Sequence, residues 1–191
     1  LLAALGLDEK ASGNDVRARK FLEAAAAANV QRARAHLELG RLRLDEARAK
    51  PAAPDGQLDA AQVTAVLTPL FTARKQPPPM AEVYGLIAET WSLSVTRPQA
   101  EHLGVVIEGV RLFPRDTALL MQATLLAAKR GSPEEAKALA ERGLKVATDT
   151  GDQDRFRMMA SAFERDTDPN AKKTEEPAPP TKSDSFLIKQ P

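Results

Sequence analysis

Few side chains in this chain have the type and spacing that metal binding needs. It contains two histidines, His36 and His102, and no cysteine. Metal ligands on a helix are usually histidines or carboxylates three or four residues apart, but Gly40 occupies the position four residues after His36. We therefore interpret His36 as a structural side chain and predict no metal site.

The sequence also lacks the motifs that mark catalytic and nucleotide-binding sites. It has no Walker-type phosphate loop, no dinucleotide-binding glycine motif, no nucleophile elbow and no zinc-protease motif. The acidic pair Glu134 and Glu135 falls at a predicted helix start, where the helix dipole explains it. We therefore predict no catalytic residue and no cofactor, and we expect that the chain is not an enzyme.

Arginines form the most regular charged pattern in the sequence. Arg34, Arg41 and Arg48 recur at intervals of seven residues on one predicted helix. Such a stripe could capture an anion or an acidic peptide. Pairs between Arg34 and Glu38 and between Arg41 and Asp45, four residues apart on a solvated face, explain the same pattern without a ligand. The sequence favours these pairs and leaves capture open.

Bulk composition excludes several classes of protein. Hydrophobic residues make up 43% of the 191 residues, aromatic residues are only 4% and alanine is abundant, a mixture typical of closely packed helices. The formal net charge of +1 provides no strong field for nucleic acid or acidic membranes. No apolar run approaches the roughly 18 residues of a membrane span. We expect a soluble protein and leave its compartment open: cytoplasmic or, if a signal precedes residue 1, exported.

Helical patterns cover most of the chain. Leu1 to Asp8 resembles the last turns of a helix already under way, ending near Leu7, so we expect a fragment of a longer protein. Pro69 should kink or interrupt the helix that contains it. The later predicted helices run up to residue 28 and over 30–49, 59–74, 83–94, 98–110, 116–130 and 133–147, with a capping helix over 151–165.

Two of these helices form a repeat unit. Residues 117–150 are a gap-free segment of 34 residues, with two helices joined by Gly131-Ser132. A period of that length, with two helices and a tight turn, is the signature of a helical-hairpin solenoid. The same register continues backwards past Pro114 to two earlier hairpins.

The repeat unit resembles the tetratricopeptide repeat. That family places small residues where its two helices cross, together with bulky apolar residues at fixed positions. The matching residues, from the last hairpin to the first, are Leu120, Ala123, Thr124, Gly131, Ala136 and Gly143; Tyr84, Ile87, Ala88, Trp91, Gly109 and Pro114; and His36, Leu39, Gly40, Leu70, Ala73 and Pro78.

The resemblance implies an all-α, right-handed α-solenoid of antiparallel helix pairs with a C-terminal capping helix. Residues 1–29 would hold remnants of preceding repeats. Three hairpins would cover 30–80, 81–116 and 117–150, with an insertion around Pro51–Gly56 in the first. The capping helix would cover 151–165, and the proline-rich, charged residues 166–191 would form a disordered tail.

Tyr84 and Trp91 are the only tyrosine and the only tryptophan. They could stack on a ligand. However, they lie seven residues apart on an otherwise apolar helix face, which favours a place in the core. We predict that Trp91 fills the space beneath the following helix.

The resemblance also implies which residues face a partner, because the first helix of each hairpin lines the concave surface in this family. Some members grip the C-terminal carboxylate of chaperones there with lysines and asparagines. Leu37, Arg41 and Leu86 stand at the matching places, so that clamp is absent. The predicted groove comprises Arg34, Leu37, Glu38, Arg41, Asp45, Glu82, Leu86, Glu89, Met121, Gln122, Leu125 and Lys129.

From this resemblance we expect a protein-interaction scaffold that binds a peptide or a partner domain in its concave groove. Two alternatives stay open: a non-catalytic C-terminal region of a larger enzyme, and a self-associating architectural module. The apolar cluster Phe186-Leu187-Ile188 is either a docking motif or an ordinary terminus. Neither nucleic acid nor a membrane is an expected partner, and the oligomeric state is left open.

Overall fold

A computed structural model describes residues 1–167, and this part of the chain is all-α, as predicted. Phe186-Leu187-Ile188 and the rest of the predicted tail from residue 168 onwards lie outside the described residues. The helices are α1 Leu2–Ala11, α2 Asp15–Ala27, α3 Ala33–Ala49, α4 Ala60–Arg74, α5 Ala81–Leu93, α6 Ala100–Leu112, α7 Thr117–Arg130, α8 Pro133–Val146 and α9 Thr150–Thr167, with a 3-10 turn at Pro54–Gly56.

The helices pack in sequence as hairpins. α1 packs on α2, α3 on α4, α5 on α6, α7 on α8, and α9 covers α8. The first helices of successive hairpins also touch, α1 with α3, α3 with α5 and α5 with α7. α1 runs to Ala11, four residues past the predicted end at Leu7.

Glycines allow the helices to approach closely within these pairs. An ideal Cβ at Gly40 of α3 would lie 2.5 Å from Leu70 Cδ2 of α4. A Cβ at Gly109 of α6 would overlap Tyr84 of α5, and one at Gly143 of α8 would overlap Phe156 of α9. The repeat pattern therefore identified residues that the packing requires to be small.

α3 is buried on two sides, because it belongs to two hydrophobic cores. Leu37 and Leu44 lie in the main core, which continues through α9. Leu39 and Leu42 of the same helix lie in an N-terminal core with α1 and α2. A helix with a wide apolar face is packed on more than one side, as in a solenoid.

Of the kink or interruption expected at Pro69, the interruption does not occur, because α4 continues through this residue. Proline has no N–H, so the carbonyl of Ala65, four residues earlier, lacks its partner within the helix. Arg43 Nη1 of α3 donates to that carbonyl oxygen at 2.9 Å. The neighbouring helix thus supplies the hydrogen bond that Pro69 removes.

The insertion after α3 is held against the second hairpin. Leu58, which is completely buried, forms an isolated parallel bridge with Ser94 just after α5. The Leu58 N–H donates to the carbonyl of Leu93 at 2.9 Å, and the Val95 N–H donates to the carbonyl of Leu58 at 3.0 Å. The insertion therefore links two consecutive hairpins.

Trp91 and Tyr84 are core residues, as predicted, with 6% and 2% of their surface exposed. The Trp91 ring stacks on His102 of the following helix, with ring centroids 4.3 Å apart. His102 Nδ1 accepts the backbone N–H of Gln99 at 3.1 Å and so helps to cap α6. His36 is buried, and its Nε2 donates to the carbonyl of Val30 at 2.9 Å, which confirms its structural role.

Candidate partner groove

The first helices of the hairpins carry two cavities that share one side chain, Arg41. We call the surface that they form the groove. The α1–α3 cavity, of about 550 Å³, is lined by Leu7, Lys10, Ala11, Arg34, Glu38 and Arg41. The α3–α7 cavity, of about 200 Å³, is lined by Arg41, Ala81, Glu82, Gly85, Leu86, Glu89, Asp116, Ala118, Leu119 and Gln122.

Most of the predicted groove residues lie in these two cavities. Those that line them are Arg34, Glu38, Arg41, Glu82, Leu86, Glu89 and Gln122. Three others on α3 and α7 line neither cavity. Asp45 is exposed, Leu125 is 43% exposed, and Met121 is half-buried against the main core.

Leu37 has no surface to offer a partner. It is completely buried in the main core, because the apolar face of α3 turns inward at this position. Its neighbour Glu38 lines the α1–α3 cavity and is only 6% exposed. Leu37 therefore supports the groove from beneath, and we leave it out of the binding surface that we propose.

Lys129 is engaged in holding the scaffold together. Its Nζ donates to the carbonyl of Ser92 at 2.6 Å and also to the carbonyl of Ser94, at the end of α5. Burial lowers the pKa of the Lys129 ammonium. This lysine satisfies carbonyl groups that a helix end leaves unpaired, so we also leave it out of the proposed surface.

The arginines of the seven-residue stripe on α3 are paired with carboxylates on α3 and α5. Arg34 contacts Glu38 Oε1 at 2.9 Å and Glu82 Oε1 at 3.5 Å. Arg48 pairs with Glu89 of α5. The pair of Arg34 with Glu38 agrees with the sequence prediction. The pairs of Arg34 with Glu82 and of Arg48 with Glu89 join α3 to α5 and so hold the first helices of two hairpins together along the groove.

Arg41 differs from its two neighbours in the stripe. Its ion-pair contact is with Glu38 Oε2, at 3.5 Å, and not with Asp45 as the spacing predicts. That contact is made by its buried Nε, which forms no hydrogen bond within the described residues. Because Arg41 lines both cavities, an incompletely paired cationic donor stands at the middle of the groove.

Gly85, midway along α5, gives the groove open space. An ideal Cβ built on it meets no atom within 4 Å, in contrast to the crowded Gly40. The predicted set did not include Gly85. A glycine inside a helix, with neither a turn nor a helix crossing to explain it, is the signal that would have found it.

The described residues contain neither a metal-binding cluster nor a membrane-spanning helix. In residues 1–167, no three His, Asp or Glu side chains come together where they could hold a metal ion. Among the helices of this same part, none combines the length and the apolar character needed to cross a bilayer.

No protein-family model matches this chain, and no curated protein matches it. Among solved structures, the crystal structure of a thermophilic tetratricopeptide-repeat protein of Thermus thermophilus is similar to it, with a TM-score of 0.54. The similarity covers 85% of this chain and 79% of that one, at 20% sequence identity. At that identity the comparison concerns the fold alone. The chain therefore has the fold of a tetratricopeptide-repeat solenoid.

Proposed function

We propose that this chain is a non-catalytic scaffold that holds a segment of a partner protein in the groove. The open space above Gly85, beside the incompletely paired Arg41, is the observation that carries the proposal. A solenoid buries its core between neighbouring repeats and leaves such a surface rigid and available. A preformed groove loses little conformational freedom on binding, which favours affinity.

The shape of the groove favours an extended segment over a globular domain. The α3–α7 cavity is small, about 200 Å³, and its walls come from three helices, of which α3 and α5 are joined by ion pairs. Its floor contains small residues, Ala81, Gly85 and Ala118, which admit a peptide backbone and short side chains. Charged residues along the rim would set the register of the segment.

Peptide display against the full chain tests this proposal. Peptides that bind the groove should be lost with Gly85→Leu, because the new side chain fills the open space. Gly104→Leu on α6 is the matched control: Gly104 also has no atom within 4 Å of an ideal Cβ, but it is exposed outside both cavities. Equal binding of the enriched peptides to both variants, or no enrichment at all, would contradict the proposal.

The two alternative functions call for different measurements. A region of a larger enzyme predicts a catalytic domain encoded upstream of residue 1, which the gene sequence would reveal. A self-associating module predicts that α1, α3, α5 and α7 are covered by a second copy. Light scattering at increasing concentration of the full chain tests self-association. A monomer that still selects groove-dependent peptides would favour the scaffold.

A further inference from the structure

The hairpin of α1 and α2 has an exposed apolar face on the side that is turned away from α3. We call this surface the end face. Its residues are Leu1, Ala4 and Leu5 at the start of α1, and Val16, Ala24 and Ala27 along α2. Leu1 is 96% exposed and Val16 is 86% exposed. Contiguous apolar surface of this kind marks interaction sites on soluble proteins.

The other end of the array is closed by a more polar helix. α9 packs over α8, and its exposed side chains include Asp154, Arg155 and Arg157, with Met158 as the large apolar exception. A terminal helix of a repeat array needs such a polar outer face to remain soluble. α1 resembles α3 instead, because both helices have apolar residues on two sides, and α3 is packed on both. The end face therefore indicates a contact that the single chain does not make.

The packing of α1 on α2 fixes which exposed residues of the two helices stand at the same height. Gly6 faces Leu22, because an ideal Cβ on Gly6 would lie 2.7 Å from Leu22 Cδ2. The two helices are antiparallel, since a short turn joins them. Asp8 and Lys20 are each two residues nearer to that turn than Gly6 and Leu22. Asp8 is therefore level with Lys20 on the end face.

Asp8 and Lys20 are charges without partners. Both are exposed, and within residues 1–167 neither forms an ion pair. They point outwards from neighbouring helices whose axes are about 8–10 Å apart, so they do not meet within the hairpin. A partner that fits the end face must offer a cation opposite Asp8 and an anion opposite Lys20.

A second copy of the chain offers this pattern. When two end faces meet about a two-fold axis parallel to the helices, α1 of each copy lies over α2 of the other. Asp8 of each copy then faces Lys20 of the other copy, which gives two ion pairs related by symmetry. A two-fold axis perpendicular to the helices would instead set α1 on α1 and place Asp8 over Leu5 of the other copy, where a charge is costly.

The sizes of the apolar side chains favour the same arrangement. α1 contributes the large Leu1 and Leu5, whereas α2 contributes the small Ala24 and Ala27 at matching heights. Large side chains that face small ones interdigitate across a layer. The four helices would each run antiparallel to their neighbours, as in a four-helix bundle, and the apolar surface of both copies would be removed from water.

We propose that the end face binds a second copy of the same chain, as a two-fold dimer with α1 of each copy over α2 of the other. Because both copies use the same surface, the contact closes on itself and gives a dimer and not a filament. The groove stays open in this dimer. α3 lies on the opposite side of the hairpin, and Leu7 and Lys10, through which α1 lines the groove, are not part of the end face.

Sedimentation equilibrium of the full chain, from micromolar to millimolar concentration, tests the dimer. We expect the mass to rise from one chain to two. Ala24→Glu should weaken the association at least about tenfold, because its carboxylate would be buried under Leu5 of the other copy. Ala138→Glu, at an exposed alanine of α8, is the matched control and should leave the association unchanged. Circular dichroism checks that both variants are folded.

A charge swap tests the predicted register of the two copies. Asp8→Lys alone sets like charges against each other at two symmetric places and should weaken the dimer at least about tenfold. Asp8→Lys combined with Lys20→Asp exchanges the signs and should return the dissociation constant to within about threefold of the wild type. A role of Asp8 within the single chain does not predict this recovery.

Three outcomes would overturn the inference: a monomer at every concentration, an equal effect of Ala24→Glu and Ala138→Glu, or no recovery in the charge swap. Peptides selected by the groove should bind the dimer as tightly as they bind the Ala24→Glu monomer. Loss of peptide binding on dimerisation would place the contact on the groove and so count against the end face. A monomer that selects groove-dependent peptides would overturn this inference and leave the scaffold intact.

Discussion

At the scale of single residues, the helix glycines are of two kinds: some lie where packing leaves no room for a side chain, and others lie beside open space. Gly104 and Gly109 lie five residues apart on α6, yet their surroundings are opposite. A Cβ at Gly104 meets no atom within 4 Å, whereas one at Gly109 would overlap Tyr84. Tyr84 cannot easily yield, because it is buried and its hydroxyl donates to Glu108 Oε1 at 2.8 Å. The same substitution should therefore have opposite effects at the two positions.

We predict that Gly109→Ala destabilises the fold by about 1–3 kcal/mol through overpacking. Gly104→Ala should instead stabilise it by about 1 kcal/mol, because alanine has the higher helix propensity. Urea denaturation followed by circular dichroism measures both free energies of unfolding. A stabilising effect of Gly109→Ala would mean that α5 and α6 are not as close as the structure shows, and a destabilising effect of Gly104→Ala would contradict the open space beside that residue.

His102 should make stability depend on pH. Burial, chiefly, lowers the pKa of the His102 imidazole below its ordinary 6.5, and the cap of α6 requires the neutral form because Nδ1 accepts a hydrogen bond. The unfolded chain therefore takes up this proton at higher pH than the folded chain. The stabilising contribution of His102 is full above about pH 6.5 and is lost as the pH falls below that value.

His102→Gln tests this dependence, because glutamine at the same position of a capping box can accept the N–H without titrating. We expect the wild type to lose more stability than the variant between pH 7.5 and pH 5.5, as measured by urea denaturation. His102→Gln also removes the stacking on Trp91, but that loss is the same at every pH. It therefore cancels when the pH dependence of the free energy of unfolding is compared between the two proteins. An NMR titration that gives His102 a pKa of 6.5 or higher would contradict the prediction.

At the scale of helices, α4 shows how a neighbouring element compensates for a local defect. Pro69 leaves the carbonyl of Ala65 without its helical partner, and Arg43 of α3 replaces the lost donor. The stability of α4 at Pro69 therefore depends on a side chain of α3. The contribution of this hydrogen bond can be measured as a coupling energy between Arg43 and Pro69.

A double-mutant cycle of Arg43→Ala and Pro69→Ala measures that coupling. In the wild type, Arg43→Ala leaves the carbonyl unpaired and should cost about 1–2 kcal/mol. In Pro69→Ala the backbone N–H returns, so the loss caused by Arg43→Ala should be smaller by about 1 kcal/mol. Strict additivity of the two substitutions would show that Arg43 acts only through its ion pair with Glu23.

The elements also show what the sequence could reveal and what it could not. Helix positions followed from apolar periodicity, and the crossing glycines from the repeat register, because both are local signals. Two contacts join residues far apart in the chain: the bridge of Leu58 to Ser94 and the hydrogen bond of Arg43 to the carbonyl of Ala65. No local sequence pattern predicts either contact. The repeat register predicts that Arg41 lies in the groove, and its four-residue spacing predicts a pair with Asp45. In the structure the Arg41 side chain turns towards Glu38 instead, a choice that spacing alone does not predict.

At the scale of the whole molecule, stability is arranged along the array of hairpins. α3 contributes to two cores, one shared with α1 and α2 and the other running on to α9. In such an array each hairpin is stabilised mainly by its neighbours, so the two ends can loosen independently. Phe156 of α9, completely buried over Gly143, secures one end, and Leu22 of α2, packed over Gly6, secures the other.

Phe156→Ala and Leu22→Ala should therefore loosen different halves of the molecule. Each removes a buried side chain at a cost of about 2–5 kcal/mol. Hydrogen exchange should rise first in α8 and α9 for Phe156→Ala, and first in α1 and α2 for Leu22→Ala, while α5 stays protected in both variants. Uniform loss of protection along the chain would mean that residues 1–167 unfold as one unit. In that case the rigidity of the groove would depend on both ends, because the helices that line it lie between them.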